Sequence, residues 1–214
     1  MPIHPTSRTI ALAATCAALL AVSAASAAPA ASPSLMATPR TVVYGAGEIV
    51  LTGVVPSKRA GEAVTILSQA CRFTEPAAIA TVTTRAGGAF RFRIQPMLNT
   101  SFRVRWKTST SAAVRIGVRP VLDVRRIRAG RYRVQVATTN PVFLDGKVVS
   151  LQRKAGARWV TIKRARLSKA STETAITVLS AATMDVRTTG TLRAVLPAAQ
   201  AGCYLGGASA TIGA

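Results

Sequence analysis

Gly61-Glu62-Ala63-Val64-Thr65-Ile66-Leu67 reappears as Gly146-Lys147-Val148-Val149-Ser150-Leu151-Gln152. The offset of 85 residues between Gly61 and Gly146 also lays Ile49 and Leu51 on Val134 and Val136. Both copies alternate apolar with polar residues, the period-two pattern of a strand with one buried face. A half-buried strand written twice in one register predicts an all-β chain of two tandem domains.

Working outward from the first copy, strands are expected at 48–55, 63–68, 78–84, 89–94, 101–106 and 113–118, with a short one at 41–44. Turn signals fall between them at Pro56-Ser57, Ala86-Gly87-Gly88 and Gln95-Pro96. The second copy echoes this at 131–137, 147–153, 158–164, 174–179, 192–196 and 208–212. It departs from the first at 168–184, where the glycine turn is missing. About seven short strands at this spacing in the first unit, echoed by the second, read as a β-sandwich, and no helix-length segments separate them as a parallel sheet would require. The expected division is a signal segment over 1–27, a flexible Ala/Pro/Ser leader over 28–40, one sandwich over 41–119 and a second over 120–214.

The first residues carry the marks of an export signal: Arg8, the short apolar run Thr9 to Val22, and Ala25-Ser26-Ala27 as a small-residue site. Cleavage is expected between Ala27 and Ala28. The apolar run is too short for a comfortable membrane span, so no transmembrane segment is expected and the mature chain is expected outside the cytoplasm. The chain has 28 Lys and Arg against 7 Asp and Glu, a formal net charge of +21. The only histidine, His4, lies in the signal segment. A mature chain without histidine lacks the usual imidazole nucleophile partner and metal ligand, and two remaining cysteines are too few for a structural zinc site. Glu48, Glu62, Glu75, Asp123, Asp145, Glu173 and Asp185 are scattered singly, mostly at turns and strand ends. The reading is therefore a non-enzyme with no metal and no cofactor. An exported enzyme with an unfamiliar carboxylate site, assembled from both repeats, stays open as an alternative.

The Gly-x-x-Val-x-Leu/Ile strand, the Gly88-Ala89-Phe90-Arg91-Phe92 strand opening, Phe102-Arg103-Val104-Arg105, and the Val114-x-Ile116-x-Val118-Arg119-Pro120 exit together resemble exported bacterial immunoglobulin-like repeat proteins. The resemblance implies two immunoglobulin-like sandwiches in tandem, in a class whose modules serve as spacers, adhesion domains and carbohydrate-binding accessories. It also implies a pairing for Cys71 and Cys203, the cysteines left after export to an oxidising compartment. In that topology the hairpin holding Cys71 lies where the first domain's chain exits. The loop holding Cys203 lies where the second domain's chain enters. A disulfide between them is expected, with free or intermolecular thiols as the alternative.

Strand parity accounts for the placement of most of the charge. Phe102, Val104 and Trp106 oppose Arg103, Arg105 and Lys107, while Val114, Ile116 and Val118 oppose Arg115. In the implied fold these strands are neighbours, so Arg103, Arg105, Lys107 and Arg115 are expected to form one exposed basic face with Trp106 in the core. Such a face suits an anionic wall polymer or acidic polysaccharide, and the competing reading is charge that blocks aggregation. Trp159 is expected on an exposed strand face, since Val160 and Ile162 read as inward, and this marks it as a candidate sugar-stacking platform. The interleaved aromatics of a single-strand nucleic-acid binder are missing, and specific nucleic-acid binding is not expected. The leading expectation is a secreted structural or binding protein held at the cell envelope by charge. The alternative is a secreted carbohydrate-binding module using Trp159.

Overall fold

The computed structural model describes residues 31–214 apart from Glu173, and the expected signal segment with its Ala27/Ala28 cleavage site lies outside the described residues. Residues 31–214 form one compact unit. The first half contributes β1 (Met36–Thr38), β2 (Thr41–Val43), β3 (Ile49–Val54), β4 (Ala63–Ala70), β5 (Ala77–Thr83), β6 (Ala89–Ile94), β7 (Thr100–Trp106), β8 (Ser109–Thr110) and β9 (Val114–Arg119). The second contributes β10 (Val121–Arg128), β11 (Arg131–Thr139), β12 (Val148–Ala155), β13 (Arg158–Arg166), β14 (Ser168–Thr172), β15 (Thr177–Asp185), β16 (Thr191–Leu196), β17 (Gly207–Ala208) and β18 (Ile212–Gly213).

Strand pairing divides at Pro120. In the first half β1-β3-β6 faces β2-β9-β7-β4-β5, and β2 runs parallel to β9. In the second half β10-β11-β15-β14 faces β13-β12-β16-β17. The latter order is the ABED/C′CFG arrangement of an immunoglobulin-like sandwich. The 85-residue offset places β4 on β12 and β3 on β11, so each pair holds the same place in its sheets. The alternation does what it predicts: Ile49, Leu51, Val64 and Ile66 are fully buried in one core, and Val134, Val136, Val149 and Leu151 in the other. Gly61 and Gly146 both have positive φ, 81° and 75°. Each donates its N–H to the end of the next strand, at Thr84 O and Leu167 O, which closes the same turn twice. A further shared device is not legible in the sequence. Ser111 Oγ accepts the N–H of Val104 at 3.0 Å, and Ser209 Oγ accepts that of Ala194 at 2.9 Å. In both halves a hydroxyl takes over the ladder bond where the last strand breaks.

Three departures from expectation have physical causes. Within the stretch expected as a flexible leader, residues 36–38 form β1, because pairing with β3 buries Ala37. The strand expected at 174–179 runs instead over Thr177–Asp185, where β11 pairs with its whole length and Met184 becomes buried. The last expected strand, 208–212, splits into β17 and β18, since Ser209 substitutes for the ladder between them. Two further strands carry no clear signal in the sequence. The β10 strand alternates only over its first residues, and β14 has no apolar alternation and is held by pairing with β15. Trp106 is half-buried against the core, with Nε1 donating to Glu62 at 3.2 Å.

The two halves meet through the loop between β16 and β17. Cys203 in that loop is disulfide-bonded to Cys71, with Cα atoms 5.5 Å apart. Main-chain bonds flank the bridge: Asn99 N–H donates to Cys203 O at 3.0 Å and Leu205 N–H to Val118 O at 2.8 Å. A Cβ added at Gly117 would overlap the Leu205 side chain, so glycine lets Leu205 pack closely over β9. Next to Cys203, Tyr204 is buried, packs edge-on against Tyr44 at 6.2 Å, and its hydroxyl oxygen accepts the Thr139 N–H at 2.7 Å. Tyr44 in turn bonds Ile176 O and Thr177 Oγ1, each at 3.0 Å.

Two outcomes are expected. The Cys71–Cys203 bond closes a loop with a sequence separation of 132. In the chain-entropy account its loss costs about 5 kcal/mol, so Cys71→Ser/Cys203→Ser, or reduction of the parent, lowers the melting temperature by about 10–20 °C; equal melting of oxidised and reduced protein would remove this role. Burial raises the Tyr204 phenol well above its ordinary value of 10.0. A raised phenol stabilises the fold fully below pH 10 and loses that contribution as pH climbs towards the folded-state value. Tyr204→Phe is therefore expected to flatten the alkaline fall in melting temperature, while costing about 1–3 kcal/mol at neutral pH through the unpaired Thr139 N–H.

Candidate functional site

The sheet β2-β9-β7-β4-β5 turns one face to the core and one to solvent. Arg103 and Arg105 on β7, and Arg115 on β9, are all exposed. Register puts Arg115 opposite Ser101, Arg103 opposite Leu67, and Arg105 opposite Thr65. Arg103 and Arg115 are diagonal neighbours across adjacent strands and line one shallow groove of about 370 Å³, together with Gln69, Ser101 and Phe73. The groove runs beside Cys71. Phe73 is 67% exposed, an apolar surface next to two guanidinium groups that the alternation of β4 does not reveal, since it lies in the turn beyond the strand. No Asp or Glu occurs in any strand of this sheet.

Lys107 behaves differently from the other three. Strand β7 ends at Trp106, and Lys107 follows in a left-handed turn with φ 52°. Its Nζ lies 3.5 Å from Glu62 Oε1 and 4.4 Å above the Trp106 ring. Glu62 also accepts hydrogen bonds from the Ser57 hydroxyl and the Trp106 indole. The Ser57 bond, aided by Lys107 and Trp106 and opposed by partial burial, holds the Glu62 carboxyl below its ordinary value. The structure thus groups Arg103, Arg105 and Arg115, and assigns Lys107 to a Glu62–Trp106 cluster at the strand end.

Trp159 is half-buried on β13 opposite Lys154. The Arg193 guanidinium stands 4.1 Å from its ring centroid and is itself oriented by a 2.9 Å bond from Nε to Gln152 Oε1. One ring face is thereby occupied by a cation. Val160 and Ile162, expected to face inward together, separate: Val160 is 47% exposed while Ile162 packs on the core. The cause is a register shift between Leu151 and Gln152, which inserts an extra residue on the β13 side and breaks the alternation that the reading extends through it.

Among the described carboxylates, Glu48 pairs with Arg93 at 3.0 Å, Asp185 with Arg131 at 3.7 Å, and Asp145 accepts from the Ser180 hydroxyl at 3.5 Å. Among the described residues no group of three His, Cys, Asp or Glu side chains is placed to hold a metal ion, and no helix is long and apolar enough to cross a membrane.

No protein-family model matches the chain, and no curated protein matches it. Among solved structures, red sea bream transglutaminase aligns at 13% identity and a TM-score of 0.34, over 86% of this chain and 31% of that one. A marsupial T cell receptor aligns at 12% identity and a TM-score of 0.30, over 86% of this chain and 96% of that one. The chain thus spans about a third of the transglutaminase.

Proposed function

We propose that the protein is a secreted, non-enzymatic binding protein of two immunoglobulin-like sandwiches that associates through its basic first-half face with an anionic polymer of the cell envelope, such as a wall polyphosphate or acidic polysaccharide. The observation that carries this reading is the position of the charge. Arg103 and Arg105 sit on β7, which pairs with β4 on one side and with β9 and the short β8 on the other, so β7 is an inner strand of the sheet. Charge that protects a sheet from edge-to-edge pairing belongs on edge strands, and edge protection does not account for a central row. With no carboxylate in the strands of this sheet, the three guanidinium groups present uncompensated positive potential to solvent. Phosphate and carboxylate groups match the planar fork of arginine, and a repeating polyanion engages several such groups at once. A disulfide between the halves supports an oxidising compartment. For the glycan-stacking alternative, Trp159 already carries Arg193 over its ring, and no observation favours that reading.

The expected result is that the protein binds a soluble poly(glycerol phosphate) with steep salt dependence. Arg103→Gln/Arg105→Gln/Arg115→Gln then reduces the magnitude of the log-affinity against log-salt slope by about 2, roughly 0.7 for each phosphate that is no longer neutralised, while Lys107→Gln leaves it nearly unchanged. Equal slopes for the parent and the triple variant, measured by titration over a series of salt concentrations, would show that this face is not the site.

A further inference from the structure

The far end of the second sandwich holds an open depression of about 850 Å³, and three of the residues that line it are arginines. Arg126 comes from β10, Arg153 from β12, and Arg187 from the loop between β15 and β16. The first two extend core-facing rows to the strand ends, where both side chains are exposed. Arg126 follows Leu122 and Val124 at two-residue steps and pairs with Tyr132, itself paired with Met184; all four of these partners and predecessors are buried. Arg153 follows Val149 and Leu151 in the same way and pairs with Leu192, which is fully buried. Directly opposed residues share a face, so one arginine from each sheet stands at core-facing parity where the sandwich opens. Tyr132, Thr188, Thr189, Ala129, Gly130 and Ala214 complete the lining.

Core-facing positions ordinarily carry apolar residues, and the first half shows what this end of a sandwich looks like when it is covered. The 85-residue offset puts Ser68 at the place of Arg153. Counting back from β7 and β16 puts Met97 and Leu98 at the places of Thr188 and Thr189. Leu98 is buried there, beside the docked loop of the second half. In the second half Thr188 and Thr189 stand in place of that apolar pair, and Arg153 in place of Ser68. Among the described residues no carboxylate lies within ion-pair distance of Arg126, Arg153 or Arg187, and the nearby Asp185 is engaged by Arg131 at 3.7 Å. Beyond Arg126 the register of β10 shifts, leaving Arg126, Ile127 and Arg128 all exposed. Bulges of this kind re-aim side chains beside binding sites.

We propose that this depression is a discrete binding site for an oligophosphate, a ligand that carries two or more phosphate oxyanions close together. Three arginines that line one depression from three elements call for several acceptor oxygens and a comparable negative charge. A single carboxylate satisfies one fork only, and a neutral sugar none. The site is independent of the basic face on the first half, and its success or failure leaves that reading untouched.

The test is calorimetric titration of the full chain with tripolyphosphate, inorganic phosphate and citrate at fixed ionic strength. Tripolyphosphate is expected to bind saturably at one site per chain, at least tenfold more tightly than either of the other two. Arg126→Gln/Arg153→Gln/Arg187→Gln is expected to weaken it at least tenfold, and Arg187→Gln alone, in an exposed loop, about threefold with an unchanged melting temperature. The Arg103→Gln/Arg105→Gln/Arg115→Gln protein should bind as the parent does. Loss of affinity to the same extent in both triple variants would mean attraction by net charge alone and would overturn the proposal. So would equal binding of citrate, equal binding of inorganic phosphate, or no saturable binding.

Discussion

The loop between β16 and β17 is held to the first sandwich covalently at Cys71 and by main-chain hydrogen bonds at Asn99 and Val118. The bridge restricts the conformational freedom of the unfolded chain across more than half its length, and the hydrogen bonds give the loop one register on β9. Around this fastening the aromatic pair Tyr44–Tyr204 is buried, with one hydroxyl satisfied by a main-chain N–H and the other by the turn at Ile176 and Thr177. A buried phenol without those partners would be costly. The junction is thus built from satisfied polar groups and a disulfide, in a chain whose small sandwiches bury proportionally little surface on their own.

The same junction organises the charge. It covers the exit end of the first sandwich, where Leu98 is buried, and leaves the corresponding end of the second open. That open end is where the arginines of the larger depression gather, while the arginines of the first half are spread along a sheet face beside the bridge. The two arrangements suit different partners. A row of cations along a sheet face matches a long polymer lying across it, whereas cations grouped around one depression match a compact polyanion. Acidic residues, being few, are used locally: Glu48, Glu62 and Asp185 each hold one neighbouring cation.

Much of this is legible along the chain because alternation is a local property. Val64 and Ile66 are buried for the same reason that Val149 and Leu151 are, and the residues between them show it. Arg103, Arg105 and Arg115 can be placed on one exposed face by parity within their own strands. Lys107 cannot, since the end of β7 is decided by the turn that carries Lys107 to Glu62. Parity misplaces the neighbours of Trp159 in part because one inserted residue on β13 reverses the alternation after it. The strands β1 and β14 leave no mark in the sequence because their own residues have no periodic signature. Each is a strand only by virtue of the neighbour it pairs with.

The amino-acid sequence by itself determined the all-β class, the repeat, the inward residues of the central strands and the excess of positive charge, since each follows from residue type and short-range spacing. The partnership of Cys71 with Cys203 is reached only by adding a topology to the sequence, and the structure supplies the contacts that make it geometrically natural. The grouping of Arg126, Arg153 and Arg187 was decided by tertiary structure alone. These residues are far apart along the chain and belong to two sheets and a loop. Only the stacking of one sheet on the other brings their charges to a common opening.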